Sequence, residues 1–232
     1  MTRKKYLVVT AGGSGTRMGS DLPKQFLPLG GRAVLRMTIE QFVEACPDIH
    51  VLTVLPEAHI SWWRRYCQEH GFNCPQRLVK GGFTRFHSVK NALAYVPDGE
   101  PVAVHDGVRP LVSVRLIREM FDRMETARAL IPVVPTVDTL KVLEKGPEGE
   151  LRETDERVDR SRIYGAQTPQ IFRSEDLKAA YGQGFDLAFT DDASVAAGYR
   201  IPLSIIPGER TNLKLTTKED LLLAEAILRI SG

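Results

Sequence analysis

Cysteine is scarce in this chain: Cys46, Cys67 and Cys74 are its only three. They form neither an even disulfide set nor a metal-ligand spacing, which excludes a disulfide scaffold or zinc module and fits reduced thiols in the cytoplasm. Long apolar runs are missing too. The longest, such as Ala129 to Val134, fall far short of the roughly 18–20 residues that cross a bilayer, so no membrane segment is expected. Met1 to Tyr6 leads straight into a strand-like run with no small-residue cleavage site, and no signal peptide is expected. Nor is one sign of charge in surplus. The 31 Lys+Arg against 29 Asp+Glu give a net charge of +2, which argues against a nucleic-acid coat. With 43% hydrophobic and 26% charged residues, general disorder is excluded as well. What remains is a globular, cytoplasmic chain, expected to form one domain over residues 1–232.

Short β-branched runs alternate with amphipathic helical stretches. Tyr6 to Thr10, Val51 to Leu55, Leu78 to Lys80, Val102 to His105 and Leu130 to Val134 read as buried strands. Between them, Leu35, Ile39, Phe42 and Val43 share a helical face, as do Ile60, Trp63 and Cys67, and Ile117, Met120, Phe121 and Met124. Gly71 stands where a C-terminal cap belongs. This alternation predicts an α/β fold of three layers, Rossmann-like, with a mostly parallel central sheet. Ligands of such sheets bind beyond the carboxyl ends of the strands. Residues 138–162 break the rhythm. Thr139 to Leu143 and Leu151 to Thr154 flank Gly146-Pro147-Glu148-Gly149, a projecting β-arm that reads either as a mobile surface loop or as an arm serving dimerisation, the latter expected here. Near the end, Thr216-Thr217-Lys218-Glu219 reads as a capping box opening a helix through Leu228.

The first strand runs into Ala11-Gly12-Gly13-Ser14-Gly15-Thr16-Arg17-Met18-Gly19, followed by Pro23-Lys24-Gln25-Phe26. The glycines let backbone N–H groups approach a ligand, and successive amides make a nest for phosphate oxygens. A Walker loop needs Gly-Lys-Ser/Thr after its spacer, and that is absent. The dinucleotide fingerprint fails because Met18 occupies its third glycine position. Instead the loop carries cations, Arg17 and Lys24, which suit a reacting polyphosphate. After the fourth strand comes His105-Asp106-Gly107-Val108-Arg109-Pro110. Beside a phosphate nest, the Asp106 carboxylate could share Mg²⁺ with substrate phosphates, whereas His105 suits a structural hydrogen bond.

The segment around Arg17 and Lys24 resembles the N-terminal motif of the sugar nucleotidyltransferases, and in detail the 2-C-methyl-D-erythritol 4-phosphate cytidylyltransferase family. The resemblance runs on through Gly81-Gly82 and Ser88, the His105 to Pro110 string, Thr139, Val158-Asp159-Arg160, Gln167-Thr168-Pro169-Gln170, Thr190-Asp191-Asp192-Ala193-Ser194 and Asn212-Leu213-Lys214. It implies CMP transfer from CTP to a polyol phosphate, with a homodimer and a divalent cation such as Mg²⁺. Ala11, Gly12, Gly13, Ser14, Gly15, Gly82, Ser88 and Asp106 would then contact CTP, and Arg17 and Lys24 would act on its triphosphate. Asp106 would hold the metal. Gly107, Arg109, Thr139, Arg160, Thr168, Thr190 and Lys214 would contact the second substrate, some across a dimer interface. Asp191 and Asp192 read either as metal or polyol contacts or as helix N-terminal charges. Two positions depart from the pattern: Phe83 stands where a polar or acidic residue is expected, and Val108 replaces an alanine. Ribitol 5-phosphate as acceptor, a sugar 1-phosphate with another nucleotide, and a nucleotide-binding regulator without chemistry are the competing readings.

Overall fold

The computed structural model describes residues 3–13 and 22–231. Strand β1 (Tyr6–Thr10) is apolar on both sides because both of its faces are covered. Leu7 and Val9 join one hydrophobic cluster and Tyr6 and Val8 another, the alternation that a period of two imposes. The chain continues through β2 (Pro28–Leu29), β3 (Arg32–Ala33), α1 (Val34–Ala45), β4 (His50–Leu55), α2 (Glu57–Glu69) and β5 (Gln76–Lys80). Next come α3 (Arg85–Leu93), β6 (Pro101–Asp106), α4 (Val114–Arg123) and β7 (Ala129–Pro135). A small ribbon of β8 (Leu143–Lys145) and β9 (Leu151–Glu153) precedes β10 (Tyr164–Ala166), β11 (Gln170–Arg173), α5 (Ser174–Gly182), α6 (Asp192–Gly198), β12 (Ser204–Pro207) and α7 (Lys218–Ser231).

The main sheet has the order β10-β7-β11-β6-β1-β4-β5, with β12 also paired to β7. Strands β5, β4, β1 and β6 are mutually parallel, and β12 is parallel to β7. Only β10 and β11 run antiparallel. Leu35, Ile39 and Phe42 of α1, Trp63 of α2, and Ile117 and Met120 of α4 fill the cluster on one face. Val89 and Leu93 of α3, Leu177 and Tyr181 of α5, and Val195 of α6 fill the other. This is the three-layer α/β architecture that the alternation predicts. Each fully buried side chain of this kind contributes about 1.5–3 kcal/mol. Among the described residues, no helix is long and apolar enough to cross a membrane.

Helix ends follow local chemistry. Gly71 adopts φ +60°, and Phe72 N–H donates to Cys67 O at 2.8 Å while Gly71 N–H donates to Gln68 O at 3.4 Å. That pair of bonds closes α2 through a left-handed residue only glycine adopts without strain. At α7 the expected box is shifted by one residue. Thr217 Oγ1 accepts from Asp220 N–H at 3.3 Å, and Asp220 Oδ2 accepts from Thr217 N–H at 2.8 Å. Asp220 therefore replaces Glu219 as the reciprocal acceptor. The arm also differs from its expected bounds. Pairing begins at Leu143, and Thr139 lies outside the ladder. The turn fixes this register, since Gly146 N–H donates to Glu150 O and Gly149 N–H to Gly146 O.

Candidate active site

Parallel pairing brings the carboxyl ends of β1, β4, β5 and β6 to one edge, where Thr10 lies between Val54 and Asp106 and Leu55 beside Lys80. A cleft of about 960 Å³ opens there, lined among others by Gly12, Gly13, Lys24, Gly82, Asp106 and Lys214. Residues far apart in the chain thus meet as the sequence predicts. Ser14, Gly15 and Arg17 lie outside the described residues.

Lys24 opens a short 3-10 turn, Lys24–Phe26. Phe26 anchors that turn, its ring centroid 4.2 Å from Trp62 and 6.1 Å from Trp63. The lysine stem runs beside the glycine turn, with its Cε 3.8 Å from where a Gly13 Cβ would lie. Ala11 donates its amide to Val54 O and accepts from Gln25 Nε2 at its carbonyl. Ala11 therefore shapes the turn, while Gly12 and Gly13 are exposed to the cleft.

Asp106 is the electrostatic centre. Its Oδ2 lies 3.1 Å from Lys214 Nζ and 3.2 Å from Arg109 Nε, and its Oδ1 lies 3.9 Å from Arg85 Nε. Burial pushes the Asp106 carboxyl up, but Arg85, Lys214 and Arg109 together outweigh it and hold the group well below the usual carboxylate range. Thr168 Oγ1 accepts from the Asp106 amide at 3.1 Å and fixes the backbone from behind. Lys214 is positioned by its neighbour Leu215, which is buried and donates its amide to Val108 O at 2.9 Å.

His105 fills the structural place expected of it. Its Nε2 lies 3.2 Å from Arg109 O; a carbonyl only accepts, so that nitrogen carries the proton. Burial pulls the imidazole down to about 3. It stays neutral and serves as a brace for the 105–109 turn. The brace leaves Arg109 mostly buried, bonded to Asp106 and, through Nη1, to Asn212 O at 2.8 Å.

At the other end of the cleft, Gly82 N–H donates to Ser88 Oγ at 3.0 Å. A Cβ on Gly82 would fall 2.4 Å from His87 Cβ, so the loop needs glycine to lie against the first turn of α3. Ser88 does not open that helix. Thr84 is the cap, accepting from His87 N–H, and Ser88 sits one turn in, holding the loop. Phe83 is fully exposed at the rim.

Several predicted residues lie elsewhere. Gly107 and Thr168 are buried beneath the cleft rather than lining it. Thr139, Arg160 and Thr190 are exposed and do not line it either, and Arg160 Nη1 donates to Val137 O just before the arm. Asp191 and Asp192 resolve as structural charges. Asp191 caps α6 in a reciprocal box with Ser194, and Asp192 is wholly buried against Arg85 and Tyr181. The sequence reading missed Arg85. Its signal was available: a cation at the first position of a helix opposes the macrodipole and calls for a counter-charge.

The glycine turn and cationic cleft, placed beyond the carboxyl ends of a parallel sheet, define a nucleotide-binding protein of the nucleotidyltransferase class. Residues 6–230 match the model of the family described as 2-C-methyl-D-erythritol 4-phosphate cytidylyltransferase, and the chain belongs to that family. Relatives of that name from Bacteroides thetaiotaomicron and Porphyromonas gingivalis are each 44% identical, over 225 and 230 residues, covering 97% and 98% of this chain and 100% and 99% of theirs. Among solved structures, 4-diphosphocytidyl-2C-methyl-D-erythritol synthase from Anaerococcus prevotii superposes with TM-score 0.78 at 26% identity, covering 98% of this chain and 99% of that one. The Thermus thermophilus 2-C-methyl-D-erythritol 4-phosphate cytidylyltransferase gives 0.73 at 30%, covering 99% and 100%.

Proposed function

We infer that this chain transfers CMP from CTP to 2-C-methyl-D-erythritol 4-phosphate, giving 4-diphosphocytidyl-2-C-methyl-D-erythritol and pyrophosphate in isoprenoid biosynthesis. The observation that carries this is the cleft of a chain of this family, where Lys24 and Lys214 line a glycine turn together with Asp106. An oxygen of the 4-phosphate attacks the α-phosphorus of CTP, and the bond from that phosphorus to the bridging oxygen of pyrophosphate breaks. A phosphate monoester with its second pKa near ~6 is largely dianionic at neutral pH and needs no protein base. The neutral, internally bonded His105 fits this. What the protein supplies is alignment and neutralisation of the charge that builds in the transition state.

Lys24 stands beside the glycine turn, where a triphosphate would meet the amide nest. Lys214, released from Asp106 by an incoming anion, supplies a second cation. Asp106 stays compensated by Arg109 and Arg85 when Lys214 turns to the phosphates. Gly82 and Ser88 offer backbone and hydroxyl groups to the base. A magnesium ion fits this donor set in its minimal form. Asp106 is the sole carboxylate among the described residues lining the cleft, and its Oδ1 is outside hydrogen-bond distance of Arg85. One carboxylate with substrate phosphates suffices for Mg²⁺, which when bound would offset phosphate charge. Thr139 and Arg160 do not reach the cleft of their own chain, which supports a homodimer in which the 138–162 arm brings them to a neighbouring copy.

The test is pyrophosphate release from CTP with 2-C-methyl-D-erythritol 4-phosphate, run beside ribitol 5-phosphate and beside UTP. Turnover confined to the first pair is the expected result. No release with any polyol phosphate would overturn the assignment.

A further inference from the structure

We infer that Arg85 is a positioning residue for this transfer, a clamp that registers the start of α6 against the nucleotide end of the cleft; the inference rests on the function proposed above. Arg85 is the first residue of α3, directly after the loop of Gly81 to Thr84. Its two terminal nitrogens donate to both oxygens of Asp192, Nη1 to Oδ1 at 2.9 Å and Nη2 to Oδ2 at 2.6 Å. Tyr181 OH donates to the same Oδ1 at 2.6 Å. The Asp192 side chain has no exposed surface, so it meets no substrate, and its fork holds the guanidinium in one orientation. The remaining Nε of Arg85 faces Asp106 at 3.9 Å, and the side chain lines the cleft.

Two things follow from this geometry. The charge of Arg85 is shared between Asp192 and Asp106, so the arginine adds little attraction for a triphosphate. The pair does join α3 to α6, and Gln170 secures α6 from β11, donating to Asp191 Oδ2 at 2.7 Å and accepting from Ala193 N–H at 2.8 Å. The fork therefore fixes the spacing between the base loop, Asp106 and the start of α6. A transfer in line between two phosphates is sensitive to displacements of about 1 Å, worth about a hundredfold in rate.

The variants R85K, D192N and R85K/D192N test this, with Tm, CTP affinity by calorimetry and steady-state kcat measured for each. The expected result is CTP affinity within about threefold of wild type and kcat down about tenfold or more in each single variant. The double variant should be no slower than the slower single, because both break the same clamp. Wild-type kcat in folded variants overturns the clamp. So do multiplying losses in the double variant, or a loss of CTP affinity as large as the loss of kcat, which would make Arg85 a nucleotide ligand. Should these variants fail to fold, Y181F decides, since it removes one bond to Asp192 and keeps the ring. A kcat lowered about twofold or more at unchanged CTP affinity supports the clamp, and an unchanged kcat overturns it. A wild-type chain without turnover overturns the functional reading and the clamp with it, a result distinct from turnover that the variants share.

Discussion

Lys24 and Asp192 show how differently two charged residues serve one cleft. Lys24 stands at the cleft wall on a turn pinned by Phe26 against Trp62 and Trp63, which holds the lysine beside Gly13. Lys24→Ala should lower kcat about 10²–10³-fold, the range for removing one group that stabilises transition-state charge, with CTP affinity falling much less. Steady-state kinetics beside calorimetry checks this, and equal losses in both would reduce Lys24 to a binding role. Lys24 and Asp106 were legible in the sequence because each sits in a short motif whose chemistry is local, whereas Lys214 came only through the family resemblance. Arg85 was not legible, because its partner Asp192 lies 107 positions away and no local pattern joins them. For the same reason Asp191-Asp192 was open to two readings until the capping bonds of Asp191 and the burial of Asp192 decided for the structural one.

Elements were legible where burial writes itself into a run of residues. Strands β1, β4, β5, β6 and β7 all lie where the apolar runs put them, to within a residue or two. Strands β10, β11 and β12 escaped because three- or four-residue segments such as Gln170–Arg173 carry no alternation long enough to read. The α7 cap failed by one position because Thr216 and Thr217, like Glu219 and Asp220, are chemically equivalent in a box, and only tertiary docking of Leu215 chooses between them. Asp220 accepts from Thr216 N–H, Thr216 Oγ1 and Thr217 N–H. Burial would raise its carboxyl, but these bonds outweigh it and leave the group below its ordinary value. Its contribution is thus fully present above the unfolded carboxylate value of about 3.9 and is lost as pH falls through the lowered folded value. Asp220→Ala should cost about 1 kcal/mol and roughly 2–4 °C in Tm at neutral pH. The gap between the variant and wild type should close on acidification; a gap unchanged down to pH ~2 would mean the carboxylate is not the source of the cap.

At the scale of the whole molecule, the cleft contains the groups for nucleotide activation, while the arm carries polar residues with no cleft of their own. The ribbon of β8 and β9 is exposed at all its positions, and Val137, Leu151 and Tyr164 each expose more than half of their surface. A two-stranded ribbon is marginal alone in water, and apolar surface of this kind is characteristic of a contact between chains. If the arm completes the site of a second copy, Arg160 and Lys24 act in the same reaction from different chains. Arg160→Ala should then raise the KM for the polyol phosphate while sparing that for CTP. A sharper consequence follows from the symmetry of a two-fold dimer. A mixed dimer of a Lys24→Ala chain and an Arg160→Ala chain contains one site in which both residues are native. At a polyol phosphate concentration well below the KM of Arg160→Ala, where both parent variants are slow, refolding or co-expressing the two in equal amounts should therefore restore about a quarter of wild-type turnover, since about half of the dimers are mixed and each has one intact site of two. If Arg160 serves its own chain, every site in the mixture lacks one residue or the other; turnover at the mean of the separate variants would then remove the shared site.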